Sequence, residues 1–528
     1  MAMSLPRMCF FLCAVSALNI SNVRPPPHNR TFNSTLVEHI VREFNVSILP
    51  QPLATLFSNC LPNTLDTTVL SASSVSSLVG SVQDSFVITG DIPAMWLRDS
   101  MNQVYPYVRL VNASVVAGKR DHDLEDFLFG VLHRQAASIT TDAYANAFAW
   151  WGPRGQTGMH AGDQTFKEFE AGAGKMNAMS DLSLFERKFE LDSLLSLLKL
   201  ATGLHESRVP GLTDALLRDP SFVPAVRRIL ETLKEMTSCS SNTYSFQRKS
   251  MEPTDTLSHG VGFPCRDTGM VRTHFRPSDD AVVYAFNIPG NAMAAVELAR
   301  LAKMLWSLQL TLNSSSFHYP WVDGLPLMQQ HALELEQSIR VGIQTYGVMQ
   351  FKGQNVFAYE VDGFGNAIFM DDANVPSLLS LPFLGFLDVS DELYQRTRNM
   401  ILSTNNPWYF KGGLGIGGIG GPHVGIGAIW PMSLMMQAWT SSNVNEVTVL
   451  LEQLMRSSTP NSLMHESFNK DTLHVYTRKW FAWANTLFGD LIIKLATDPL
   501  LHPAVNLSKP IDLVALIEHW RPEGTLII

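Results

Sequence analysis

Charge is scarce in this chain. Asp, Glu, Lys and Arg make up 16% of its 528 residues, against 46% hydrophobic residues. The formal net charge is −9, so the chain lacks the basic face that a nucleic-acid partner requires. Cysteine is scarcer still, with five in all, and neither a CxxC pair nor an HExxH string occurs, so the spacing of a zinc site is missing. No G-x-S-x-G string occurs, which removes the nucleophile elbow of serine hydrolases. Beyond the N-terminus no apolar run approaches the roughly 18 residues a membrane-spanning helix needs. Neither an internal repeat nor a shift of composition divides the chain. These absences predict a protein without metal or cofactor that acts on a neutral ligand.

The N-terminus reads as a signal peptide over 1–18: Arg7 precedes the short apolar run 8–18, and Val15-Ser16-Ala17 offers small residues for cleavage. Residues 19–34, with Pro25 to Pro27, are expected to be a linker, and 35–528 a single domain. Seven N-x-S/T sequons, at Asn19, Asn29, Asn33, Asn45, Asn112, Asn313 and Asn506, agree with passage through the secretory pathway and with no membrane association once the signal is removed. Cleavage would remove Cys9 and Cys13 and leave Cys60, Cys239 and Cys265. Of these, Cys239 and Cys265 flank a Ser/Thr/Pro-rich loop and are the expected bridge.

Apolar residues recur at helical spacing in 35–48, 97–112, 121–138, 187–204, 221–237, 279–304, 324–346, 391–403, 428–440, 445–457, 479–497 and 511–519. Strand-like alternation is confined to brief runs such as 85–89 and 355–362. About a dozen helices joined by loops predict an all-α ring of helical hairpins, with short β insertions and a central cavity.

The few charges gather in four strings that also hold aromatic residues: GDIPAMWLRDS (90–100), FERKFELDS (185–193), FRPSDDA (275–281) and MHESF (464–468). A buried carboxylate is costly unless paired, so such strings point to a polar pocket. Carboxylates beside flat aromatic faces suit a sugar, whose C–H faces stack on rings while its hydroxyls need acceptors and donors. Hydrolysis of a glycosidic bond needs one protonated carboxyl as acid and one ionised carboxyl as base or nucleophile. Asp279 and Asp280 are adjacent, and Ser278-Asp279 reads as the N-cap of the helix that follows; a catalytic acid and a solvated first-turn aspartate are both compatible with it. Glu466, between His465 and Ser467, is either a held base or half of a buried ion pair. Arg98 and Asp99 diverge on a helix and are each expected to bond elsewhere. In FERKFELDS the pairs Glu186/Glu190 and Lys188/Asp192 stand four apart and predict a salt-bridged helix face. GIGGIG (415–420) fits the dinucleotide pattern only weakly, because no buried strand precedes it and Trp439 and Thr440 stand where an acidic ribose ligand belongs.

Seven ordered strings, GDIPAMWLRDSMNQVYPYV, FERKFELDS, FRPSDDA, FMDDANVPSLLSLPFLG, GGPHVGIGAIWPMSL, LMHESFN and TRKWFAWANTLFG, resemble the signature segments of glycoside hydrolase family 125 over about residues 60–497. The resemblance implies an (α/α)6 barrel and a metal-independent, inverting exo-α-1,6-mannosidase acting on mannan or N-glycan chains. Carried over by motif, the acid falls in SDD, with Asp279 favoured and Asp280 the alternative, and the base is Glu466. Trp96, Arg98, Asp99, Arg276, Asp372, Asn374, His423, His465 and Trp480 are the residues expected to hold mannose. Another sugar specificity on the same barrel, and a catalytically silent mannan-binding protein, are the rival readings.

Overall fold

The computed structural model describes residues 18–521 apart from 78–79, 153–154, 157–162, 166–183, 242 and 315–318. Residues 1–17 of the expected signal lie outside the described residues. The remainder of the N-terminal stretch is pinned to the body where a free linker is expected: Arg24 Nε donates to Asp66 (2.8 Å), and Asn59 Nδ2 donates to the Ser21 carbonyl (2.8 Å). All twelve expected helices are present. In chain order the described helices are α1 (Thr35–Glu43), α2 (Leu53–Cys60), α3 (Asn63–Thr67), α4 (Leu97–Val116), α5 (His122–Thr141), α6 (Leu191–Glu206), α7 (Leu212–Arg218) and α8 (Phe222–Glu235). They continue with α9 (Ile288–Ser314), α10 (Leu325–Gly342), α11 (Glu392–Ile401), α12 (Pro431–Trp439), α13 (Val444–Ser458), α14 (Ala482–Thr497) and α15 (Leu513–Glu518). Described strands are two to nine residues long and pair in sheets of two or three.

Burial separates an inner from an outer ring. On α6 the run Leu191–Leu204 is buried on every face, as an inner helix must be, whereas α8 buries Phe222, Val223, Val226, Ile229, Leu230 and Leu233 and leaves the other face to solvent. α4 packs on α6 and α14, α6 on α9, and α14 on α12, so five inner helices follow one another round the ring. Between α9 and α12 the place is taken by a segment of turns, 377–386, whose Gly385 meets Val296 of α9 and whose Phe383 meets Trp439 of α12 edge-on. The chain is thus an (α/α)6 barrel with short strands at its mouth.

The inner helices point their N-termini toward one end. Trp96, Glu190, Trp430 and Phe481 are the residues immediately before α4, α6, α12 and α14. Helix N-termini present unpaired N–H groups and a positive dipole end, which favours carboxylates gathered there. Two expected elements differ. The helix expected from 279 begins at Ile288, and 276–285 is loop in which Asp279 has φ +69°. FERKFELDS is a strand (Leu184–Glu186), an extended stretch and only then the start of α6, with Glu190 bridging Phe275 in parallel. Its charges therefore do not share a helix face.

Candidate active site

At the mouth of the barrel lies a cavity of about 530 Å³, within the range of small-molecule sites. Trp96, Arg98, Asp99, Asp279, Asp280, Asn374, His423 and Glu466 line it, bringing together three of the four charged strings and the glycine-loop histidine. Lys188 and Glu186 of the fourth string line it too. Trp430, Phe481 and Trp483 add aromatic surface, and Arg248, Glu252, Thr254 and Asp255 form part of the wall. The last four belong to the loop closed by the Cys239–Cys265 disulfide, the expected bridge; Cys60 is free and buried.

Arg98 organises one side. Its Nη1 donates to Glu190 Oε2 (2.7 Å) and its Nη2 to Asp279 Oδ1 (3.3 Å), with Asp99 at 3.4 Å and Asp192 at 3.5 Å. One guanidinium faces four carboxyls, so they cannot all be ionised without large repulsion. Burial, with Asp279 and Glu466 adding to it against Arg98 and Arg478, raises the Asp99 carboxyl to about 6. Burial likewise raises Asp192 to about 6, with Arg98 opposing. Burial drives Glu190, fully enclosed, well above the carboxylate range despite Arg98. Burial would raise Asp279 as well, but Arg98, the hydrogen bond with Glu190, Lys188 and His423 outweigh it and hold Asp279 well below the usual range. Trp96 Nε1 also donates to Asp279 Oδ1 (3.2 Å), while Lys188 Nζ donates to the Asp279 carbonyl (2.8 Å) and to Asp255 (2.7 Å).

Glu466 is 3.6 Å from Arg478 Nη1, and Arg478 is fixed by Asp91 and by the Thr89 carbonyl (3.0 Å). His423 Nδ1 is 3.7 Å from Asp280 Oδ2, which also accepts from Ser278 Oγ (2.7 Å). Burial would lower the His423 imidazole, but Asp280, Asp279 and Glu466 outweigh it and raise its pKa above the ordinary histidine value. The loop carrying His423 turns on glycine: a methyl group at Gly420 would sit 2.1 Å from the Ala428 carbonyl oxygen. Close backbone approach explains the glycine-rich string without a nucleotide.

Four residues expected to hold sugar do not line the cavity. Arg276 is in a buried ion pair with Glu360, Nε donating at 2.6 Å. Asp372 accepts from the backbone and side-chain amides of Asn374, both at 3.0 Å, and so stands behind that lining residue. His465 stacks on Tyr476 with ring centroids 4.0 Å apart, its Nδ1 3.0 Å from the Arg478 carbonyl, and burial lowers its pKa. Trp480 covers Gly90, where a Cβ would come within 3.1 Å of the ring; the next residue, Phe481, and Trp483 face the cavity instead. Sequence reasoning missed Lys188, Arg248, Arg478 and Asn146. Asn146 Nδ2 donates to Glu186 (2.8 Å) and Glu190 (3.1 Å), and no local signal in its string AYANAFAW announces that.

A ring of paired helices whose mouth holds several carboxylates, an arginine and indole walls is the arrangement of a barrel glycoside hydrolase. The comparisons with known proteins narrow the class. Residues 50–493 match the metal-independent α-mannosidases of glycoside hydrolase family 125, and the chain belongs to that family. It is 39% identical over 497 residues to the meiotically up-regulated gene 157 protein of Schizosaccharomyces pombe, covering 91% of this chain and 90% of the relative. A solved structure from Streptococcus pneumoniae superposes with a TM-score of 0.75 at 33% identity, covering 90% of this chain and all of that one. That structure is described as a metal-independent α-mannosidase of N-linked glycan processing, in a non-productive complex with α-1,6-mannobiose.

Proposed function

We propose that this α-mannosidase releases terminal α-1,6-linked mannose, by inversion, from mannan or N-glycan chains. The observation that carries the reading is the meeting of Asp279 and Glu466, from strings almost 190 residues apart, on one cavity walled by Trp96 and Trp430. Asp279 protonates the departing oxygen. Of the SDD pair it is the one whose side chain is 22% exposed and bonded by a wall tryptophan; Asp280 is held by Ser278 beside His423. Glu466 takes a proton from the water that attacks the opposite face of the sugar, and Arg478 steadies its carboxylate. Asp99, Arg98, Asn374 and His423 bind the hydroxyls of the terminal mannose. Arg248, Glu252 and Asp255, on the disulfide-closed loop, face the sugar that leaves.

The alternative in which the barrel binds mannan without cleaving it is disfavoured by the presence of both carboxylates at the cavity. Exposed asparagines at six of the seven sequons (Asn506 is half-buried), together with the disulfide, support a glycoprotein of the secretory pathway. Incubation with α-1,6-, α-1,2- and α-1,3-mannobiose, with and without EDTA, tests the reading. Free mannose is expected from the first alone and in both conditions; loss of activity in EDTA with recovery on adding calcium or zinc would overturn it.

A further inference from the structure

A general acid is only as well placed as the backbone that carries it, and at Asp279 that backbone is unusual. Its φ of +69° lies in the left-handed region, which a residue with a Cβ enters at a cost and keeps only when its surroundings hold it there. The turn is closed by main-chain bonds from Asp279 N to the Arg276 carbonyl (3.0 Å) and from Arg276 N to the Asp280 carbonyl (2.8 Å). The Asp279 carbonyl accepts from Lys188 Nζ at 2.8 Å. On the carboxyl itself, Trp96, Arg98 and Asn146 all reach one oxygen, Oδ1, at 3.2, 3.3 and 3.4 Å. Donors gathered on one oxygen leave the group room to swing about it, so the direction of the other oxygen follows the backbone.

Lys188 is itself anchored. It is buried, and Nζ also donates to Asp255 Oδ1 (2.7 Å) on the loop closed by the Cys239–Cys265 disulfide; Arg248 Nη1 donates to the same oxygen (2.9 Å). Glu186 lies 3.7 Å from Nζ and accepts from Arg248 Nη2 (2.6 Å). The disulfide-closed loop meets the 276–285 loop a second time, where Ala281 N donates to the Thr254 carbonyl (2.7 Å). An ammonium suits this place, since its three donors on a compact head can serve a main-chain carbonyl and a carboxylate together.

We propose that Lys188 is a positioning residue for the acid: its ammonium ties the Asp279 carbonyl to Asp255 and so fixes the turn that directs the Asp279 carboxyl at the glycosidic oxygen, with the disulfide-closed loop as the anchor. The inference rests on the assignment of Asp279 as the acid. No proton passes through Lys188; it acts on the reaction through the place it gives Asp279. Misplacing a reacting group by about 1 Å can cost about 10²-fold in rate.

The test is the dependence of kcat on the leaving group, for the full chain carrying Lys188→Met, on phenyl and on 2,4-dinitrophenyl α-mannoside. Phenol departs only with the acid's proton and dinitrophenolate departs without it. Neither substrate carries a leaving sugar, so a lost contact to that sugar does not register. Lys188→Met should lower kcat on the phenyl substrate about 10- to 10²-fold and on the dinitrophenyl substrate no more than a few-fold, with KM kept for both. Lys188→Arg should regain part of the loss. Lys188→Gln, too short to serve both acceptors, should repeat the selective loss and serves if the methionine variant does not fold. Equal losses on the two substrates, an unchanged kcat, or a raised KM with kcat kept would overturn the proposal. Asp279→Asn separates the two readings: if it too fails to discriminate between the substrates, the acid assignment fails and the inference with it. If it is selective and Lys188→Met is not, only the positioning role fails.

Discussion

At the start of α4, Arg98 meets four carboxyls beside an open cavity; seven residues further along the same helix, about 10 Å deeper, Tyr105 meets a buried lysine in a very different setting. Lys199 Nζ lies 4.7 Å from the Tyr105 ring and 4.9 Å from the Phe383 ring, and the nearby Trp439 ring receives Arg109 and Lys494. Arg109 is in turn paired with Asp490 at 2.7 Å. Both regions bury charge on the same inner helices. At the deep end cations are covered by aromatic faces and matched by carboxylates, whereas at the mouth carboxylates outnumber cations and face the cavity. Buried charge alone therefore does not mark the site; an excess of one sign against a cavity does.

The comparison breaks most sharply at the mouth. Glu466→Gln should lower kcat by about 10³- to 10⁴-fold with substrate affinity largely kept, because an amide preserves the shape but cannot accept the water's proton; isothermal titration with mannobiose beside the turnover assay checks both halves. Asp279→Asn should lose about 10²- to 10⁴-fold on mannobiose, and Asp280→Asn less, if the more exposed carboxyl is the donor. A structural role for buried charge predicts the opposite pattern for Arg276→Gln. Removing one partner of its ion pair with Glu360 should cost about 3–5 kcal/mol of stability in denaturant titration, with KM for mannobiose near that of the wild type.

The disulfide variant Cys239→Ser with Cys265→Ser should lose about 3–4 kcal/mol by release of a loop of 27 residues. KM should rise for mannobiose more than for an aryl mannoside if, as proposed, this loop faces the sugar that leaves. The smallest effect belongs to the deep end. Burial lowers the Lys199 amine to about 8, below its value in the unfolded chain, so the folded state is penalised below pH 8 and relieved as pH rises toward 10.5. Lys199→Met should leave turnover unchanged and raise stability at pH 7 by up to a few kcal/mol, the advantage over wild type shrinking between pH 8 and 10.5. Thermal unfolding across that range reads it out.

Much of this was legible in the sequence, in a particular way. Apolar spacing located every long inner helix, because an inner helix buried on all sides and an outer one buried on one side both keep the 3.6-residue period. The strings rich in charge and indole located the mouth, because each sets carboxylates beside cations or rings within a few residues, which single buried ions such as Lys199 do not. Local geometry was less legible. Ser278-Asp279 has the composition of an N-cap, but the chain turns through positive φ at Asp279 and bonds Ser278 to Asp280 instead, a tertiary arrangement that outweighs capping preference. The four-residue spacing in FERKFELDS imitates a helix face, whereas the extended backbone sends Lys188 and Glu190 to different partners, Asp255 and Arg98. Arg276, His465 and Trp480 stand beside residues of the site and differ from them only in direction, which depends on where a strand or helix begins. Asn146 and Arg248 reach the site through long-range contacts that no spacing encodes.

In the proposed reaction Asp279 and Glu466 act across a water molecule. Proton NMR of the first turnovers on α-1,6-mannobiose tests it most directly, since the anomer released precedes mutarotation. Inversion, as proposed, gives β-mannose as the first product. α-Mannose first would mean that the reaction retains configuration, make Glu466 a nucleophile and contradict the account.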